Sequence, residues 1–246
     1  MSGVAPVPAT LETGRRDGRP VVITVDGPAG SGKSTLGRRL AAALCLPLVD
    51  TGLFYRGVTV AAVRAGLDAA DTAGAESLAA SVRIELNTDP TGTSGGWTVR
   101  VDGEDATEAA RDPRHTPLLT ALSGMEGVRR ALLAPQRQAA AAGAVAVGRD
   151  CGTVVFPDAE VKLYLDAAPE VRASRREVQL RTGGTAVDAA QLRSEVADRD
   201  ARDSGRAVAP LRRADGAHVI DTGAHGIDAV AELALELCRR AGVPGC

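Results

Sequence analysis

From residue 27 to residue 35 the chain reads Gly27-Pro28-Ala29-Gly30-Ser31-Gly32-Lys33-Ser34-Thr35, and Gly27 through Ser34 fit the pattern G-x-x-x-x-G-K-[ST] without a mismatch. Glycines here let successive backbone N–H groups turn inward onto phosphate oxygens, in conformations closed to other residues. A helix beginning near Lys33 adds the positive end of its dipole at the same point. Lys33 can reach the β- and γ-phosphates of a nucleoside triphosphate such as ATP, and Ser34 can offer its hydroxyl to Mg²⁺. Composition sharpens this reading: Lys33 and Lys162 are the only lysines, every other basic side chain being arginine. A plain Gly-rich turn is the bland alternative, and the full motif between a strand and a helix outweighs it.

Three further segments carry side chains suited to phosphates and polar bases. Asp50-Thr51-Gly52 ends a short apolar run and precedes Tyr55 and Arg56. In open parallel sheets ligands gather beyond the carboxyl ends of the strands, so Thr51, Tyr55 and Arg56 are expected at the loop's cleft; a core tyrosine and a solvated arginine are the alternative. Gly148-Arg149-Asp150-Cys151-Gly152-Thr153 follows the apolar run Ala144–Val147 and brings Arg149 and Asp150 to the same cleft, unless they merely pair at the surface. Arg199-Asp200-Ala201-Arg202-Asp203-Ser204-Gly205-Arg206 is dense in Arg and Asp, as many exposed helices are. Its place between the glycines at 183–184 and the last strand suggests a lid, whose arginines neutralise a transferring phosphoryl group and keep water out. Thr120 and Arg129, taken alone, read as surface residues of two middle helices.

The elements that must position these groups are legible as periodicities. Val21–Val25 is a buried strand, and Leu36, Leu40 and Leu44 recur at helical spacing after it. Leu46–Asp50 is a second strand, followed by a helix with Val58, Ala62 and Ala65 on one face. Val82–Leu86 and Trp97–Val101 alternate apolar and polar residues around a turn at Asp89–Gly96, as antiparallel strands do. Helices are expected at Pro117–Leu122 and Glu126–Ala142, then strands Ala144–Val147 and Val161–Asp166. A helix over Pro169–Leu180 carries Arg172, Arg175 and Arg176, and a hinge-like loop at Thr182–Thr185 leads to a helix over Asp188–Asp203. Strand Ala217–Asp221 and helix Ile227–Arg240 close the chain. The predicted class is α/β: a parallel sheet with helices on both faces, a small antiparallel insertion and a short lid. Residues 1–20 read as a disordered tail before a single domain over 21–240. Its core covers 21–68, 143–180 and 207–240, with an insertion at about 69–142 and a lid at about 181–206.

Composition narrows the partners. A formal charge of −2 argues against nucleic acid held by bulk electrostatics, and 2% aromatic residues leave little for stacking single-stranded bases. No apolar stretch is long enough to span a bilayer. The four cysteines are scattered, so neither a zinc site nor a disulfide framework is expected, and a reducing cytoplasm is the natural compartment. His115, His218 and His225 form no catalytic constellation.

Taken together, the loop, Asp50-Thr51-Gly52…Tyr55-Arg56, the run from Gly148-Arg149-Asp150 through Gly152-Thr153-Val154-Val155-Phe156-Pro157-Asp158, and Arg199…Arg206-Ala207-Val208-Ala209-Pro210-Leu211 resemble a bacterial cytidylate kinase, one of the P-loop nucleoside monophosphate kinases. The resemblance runs from about Val21 to Glu236, and the second and third runs are far more specific than the loop. It implies a P-loop core with an inserted nucleoside-monophosphate-binding lobe, and ATP-dependent phosphorylation of CMP or dCMP with Mg²⁺ by a monomer. Carried over residue by residue, Thr51, Tyr55 and Arg56 would line the monophosphate pocket. Thr120, Arg129 and Asp150 would read the cytosine edge, Asp203 would hold the sugar, and Arg149, Arg199 and Arg206 would gather around the phosphates. No general base is called for, because a phosphate dianion is already a nucleophile. Departures are Val147, where relatives commonly carry an acid that could order the metal's water (Asp26 is the substitute to hand), Gly205 in place of a frequent Asn, which could loosen the lid, and Thr51 and Thr120 in place of serine. The rivals are a same-fold kinase for UMP, AMP or another acceptor, a GTPase-type switch, which lacks its N-K-x-D signature here, and a catalytically weakened regulatory protein.

Overall fold

The structure, a computed structural model, describes residues 15–16, 19–88, 96–182 and 188–245. Most of the turn expected at Asp89–Gly96, the glycines of the hinge-like loop and residues 1–14 and 17–18 of the expected tail lie outside the described residues. A two-residue antiparallel pair comes first, β1 (Arg15–Arg16) with β2 (Arg19–Pro20). These four residues lie within the span 1–20 expected as a tail, and the pair is separate from the larger sheet. There follow β3 (Val22–Asp26), α1 (Lys33–Ala43), β4 (Leu48–Asp50) and α2 (Thr51–Arg64). The middle of the chain forms α3 (Thr72–Ser81), β5 (Ile84–Thr88), β6 (Trp97–Val101), β7 (Glu104–Asp105), α4 (Thr107–Arg111), α5 (Thr116–Gly124) and α6 (Glu126–Ala139). It returns with β8 (Ala144–Val147), β9 (Val161–Asp166), α7 (Pro169–Thr182), α8 (Ala189–Ser204), β10 (His218–Asp221) and α9 (Ile227–Arg240).

Five strands make one parallel sheet in the order β10-β9-β3-β8-β4. Alternate residues of its strands divide between two layers, as the pleat dictates. Ile23 and Val25 of β3, Val145 and Val147 of β8 and Leu48 of β4 pack with Leu36 and Leu40 of α1 and Val230 and Ala234 of α9. Val22, Ala144 and Val49 face the other way, onto Phe54 and Val58 of α2, Leu122 of α5 and Leu132 of α6. Helices therefore cover both faces, which is the α/β class expected. The separate antiparallel sheet β5-β6-β7 leans on α2, burying Val99 and Val101 against Leu53, Val60 and Ala61. Helix α2 is thus buried on two sides, which explains why it carries so few polar residues.

Side-chain caps fix several helix starts: Asp50 accepts Gly52 N–H, Asp71 accepts Gly74 N–H, and Asp188 accepts Ala190 and Gln191 N–H. Helices α3 and α4 escaped the periodicity reading, because one is a run of small residues and the other spans little more than a turn. Cys45 is exposed in the turn that ends α1. Cys151 and Cys238 are buried free thiols.

Candidate active site

Adjacent parallel strands deliver the candidate segments to one edge. The phosphate loop leaves the carboxyl end of β3, residues 148–155 leave β8, and Asp50 ends β4, with β8 hydrogen-bonded between the other two. Gly27 has φ +147°, and a Cβ there would lie 2.2 Å from the carbonyl oxygen of Leu165. Gly32, at φ +93°, is the N-cap of α1, and a Cβ on it would meet nothing within 4 Å. The loop is therefore packed hard beneath and open above, the shape of an anion cradle. Lys33 is buried and donates to the Pro28 carbonyl at 2.6 Å. Burial, reinforced by Arg149, pulls its ammonium well below its ordinary pKa, against the opposite pull of Asp50 and Asp26. Ser34 and Thr35 are exposed in the first turn of α1. Beside this turn a cavity of about 310 Å³ is lined by Ser31, Gly32, Thr35, Arg175, Thr222 and His225, among others.

Cations converge from four elements. Arg149 donates Nε to Asp203 Oδ2 at 2.9 Å, and Arg206 donates to Asp203 Oδ1 at 2.5 Å. Burial works to raise the Asp203 carboxyl, but the two arginines outweigh it and hold it below its usual value. Arg199 is pulled down to about 10 by burial, with Arg149, Arg56 and Arg176 repelling it. Arg56 is likewise lowered by burial and by Arg176, and it donates to the Ala110 carbonyl at 2.5 Å. Positive groups that depress one another's pKa are an arrangement prepared for anions, whose arrival relieves the repulsion.

On the α6 side, Arg129 is 5% exposed and Asp150 is 5% exposed, and Arg129 Nη2 donates to Asp150 Oδ2. Burial works against the Arg129 charge, but Asp150 and Tyr55 outweigh it; the guanidinium lies 5.3 Å from the Tyr55 ring centre. Arg129 Nη1 reaches the Ser123 carbonyl, while its Nε is buried with no partner among the described residues. Tyr55 packs in the core with its hydroxyl pushed up to about 12 by burial, and its ring meets Arg129. Thr51 starts α2. It is 3% exposed, and its hydroxyl donates to the Val147 carbonyl at 3.1 Å, tying α2 to β8. Thr120 donates its hydroxyl back to the Thr116 carbonyl, and its own carbonyl accepts from the Ser123 hydroxyl, while the Ser123 carbonyl accepts from Arg129.

Asp26 had no role in the sequence beyond a substitute for the missing acid. Its carboxylate instead accepts Cys151 N–H at 2.9 Å and Gly152 N–H at 2.7 Å, fixing the single π turn Cys151–Val155 that carries Arg149 and Asp150 at its start. Val147 itself is 2% exposed in the apolar layer, and a Cβ on Gly37 would lie 2.5 Å from its Cγ1. A glycine on α1 thus makes room for the valine. Gly205 ends α8 with its N–H on the Ala201 carbonyl, and a Cβ there would come within 2.9 Å of that oxygen.

Burial raises the Asp26 carboxyl from 3.8 to about 6. The folded protein thus holds a proton that the unfolded chain has already lost, and stability drains as pH rises through that window. Between about pH 4 and 6 the stability of wild type relative to Asp26→Asn is expected to fall, and to be flat above. Urea denaturation at stepped pH checks this, and a constant difference would show that Asp26 titrates normally.

Among the described residues no three His, Cys, Asp or Glu side chains are grouped to hold a metal ion, and no helix is long and apolar enough to cross a membrane. The cytidylate kinase family model matches residues 23–240. A cytidylate kinase of Syntrophotalea carbinolica is 44% identical over 220 residues, covering 89% of this chain and 92% of that protein. One from Pelotomaculum thermopropionicum is 42% identical over 212 residues, 86% and 92% of the two chains, and one from Rhodococcus jostii is 42% identical over 225 residues, 90% and 96%. With the match running from the strand before the phosphate loop to the last helix, the chain belongs to the cytidylate kinase family.

Proposed function

We propose that this phosphotransferase moves the γ-phosphoryl group of ATP onto CMP or dCMP in one in-line step. What carries the reading is the pairing, at one sheet edge, of an open phosphate loop with a buried Arg129–Asp150 ion pair that has a donor to spare. In this reading Gly27 to Thr35 cradle the donor phosphates, and the cavity beside Thr35 and Arg175 takes the adenosine end. Lys33, Arg149, Arg199 and Arg206 spread the charge of the transferring group, while Arg56 holds the acceptor phosphate near Tyr55 and Thr51. Asp150 accepts the exocyclic amino group of cytosine, where uracil would present an acceptor and leave a buried polar group unpaired, at a cost of about 1–3 kcal/mol. Arg129 orients Asp150, Thr120 closes the base edge, and Asp203 holds the sugar once its arginines turn to phosphate. Mg²⁺, when bound, supplies charge neutralisation across the donor phosphates. Ser34 would hold it, and its exposed hydroxyl has no hydrogen-bond partner among the described residues. The α3–α6 segment with its small sheet is read as the monophosphate lobe and α8 with Arg206 as the lid. The enzyme is read as a monomer of the cytoplasm.

The test is ADP release from purified protein with ATP, Mg²⁺ and, in turn, CMP, dCMP, UMP and AMP. Turnover confined to the cytidine nucleotides is expected. Equal turnover with UMP would overturn the Asp150 reading and leave the kinase standing.

A further inference from the structure

Arg172 lies outside every segment that the sequence marked for chemistry, yet it is the most completely tied arginine near the phosphate loop. Its side chain is 4% exposed on α7. Nε donates to the Ala167 carbonyl at 2.9 Å, at the end of β9, and Nη1 donates to the Ala29 carbonyl inside the phosphate loop at 3.2 Å. The same Nη1 and Nη2 grip both oxygens of Asp200 on α8, a bidentate pair. Its backbone also walls the loop, since a Cβ on Gly30 would lie 3.2 Å from the Arg172 carbonyl oxygen. Asp200 sits between Arg199 and Asp203 on one helix, and Asp203 in turn holds Arg149 and Arg206. One guanidinium therefore joins the loop to the helix that presents the phosphate-facing arginines.

We infer that Arg172 is a positioning residue that couples the phosphate loop to α8 through Asp200, so that filling the loop and placing Arg199 are a single event. The inference rests on the kinase reading for its effect on rate, and on geometry alone for the coupling. A bidentate guanidinium has only discrete ways to sit, and a loop that shifts around phosphates carries the Ala29 carbonyl, Arg172 and Asp200 with it. Asp200→Asn is the mild cut: it keeps one acceptor oxygen and lies on a partly exposed side chain, so Arg172 stays hydrogen-bonded and the fold is retained.

Two measurements test it. First, hydrogen exchange of residues 189–204 is followed with and without a non-hydrolysable ATP analogue. In wild type the analogue should slow exchange by about fivefold or more. In Asp200→Asn and Arg172→Gln the analogue should still bind, measured by direct titration, but the slowing should shrink to within about twofold; Asp200→Glu, which keeps the charge, should restore it. Protection of α8 that survives in both variants would overturn the coupling, and so would a wild type in which the analogue leaves α8 unchanged. Neither readout needs phosphoryl transfer, so failure of the kinase reading leaves this arm standing. Second, Asp200→Asn should lower kcat by about tenfold with KM for CMP little changed, and adding Arg199→Ala should cost much less in that background than in wild type. Losses that simply multiply, or a kcat and KM that move together with the melting temperature, would reduce Arg172 to a packing residue.

Discussion

Lys33→Met should cut turnover by about 10²–10³-fold while the melting temperature holds or rises. The two halves come from one fact. Lys33 is buried in the loop, and burial together with Arg149 disfavours its charge in the ligand-free fold. Among the described residues a single carbonyl, that of Pro28, receives its ammonium there. A charge held at such expense is useful when phosphate oxygens arrive, because its attraction to them acts in a water-poor pocket and strengthens as negative charge shifts toward the bridging oxygen. Methionine fills the same space without the desolvation cost. ADP release at saturating nucleotide and thermal unfolding of the same preparation check both halves. Turnover within threefold of wild type would remove Lys33 from the phosphates; a clear loss of stability would show that its charge is net favourable to the fold.

Asp150→Ala should be the most destabilising single change at the site, by about 3–5 kcal/mol, because it strands the Arg129 guanidinium in the interior. In a chain of this length that amounts to a fall in melting temperature on the order of 10 °C. Replacing both partners, as in Arg129→Met with Asp150→Leu, removes the stranded charge and should recover most of the stability. Turnover with CMP should stay lost in the double variant if Asp150 is the proposed acceptor for the cytosine amino group. Stability and base reading thus part company in one pair of proteins. A double variant as unstable as the single would point to packing rather than charge, and one that phosphorylates CMP normally would detach Asp150 from the base.

The sequence by itself determined whatever is encoded in neighbours. Gly27 to Ser34 specify their own loop, because the φ values and the helix start they need are local, and the unbroken apolar runs Val21–Val25 and Ala144–Val147 foretold strands buried on both faces. It also set Lys33, Arg149 and Asp150 just after strand ends and Arg199 on the helix that follows the last glycine-rich loop. Only the tertiary structure decided what each side chain grips. Thr51 bonds a carbonyl 96 residues away, Asp26 bonds an N–H 125 residues away, and Arg172 reaches across 143 residues to Ala29. No period or motif records such pairings. They depend on which strand ends become neighbours when β8 inserts beside β3, and on how much water that closure removes from Asp26 and Lys33. Spacing along a chain fixes a residue's face; the field it feels, and so its charge and its partner, is set by everything packed around it.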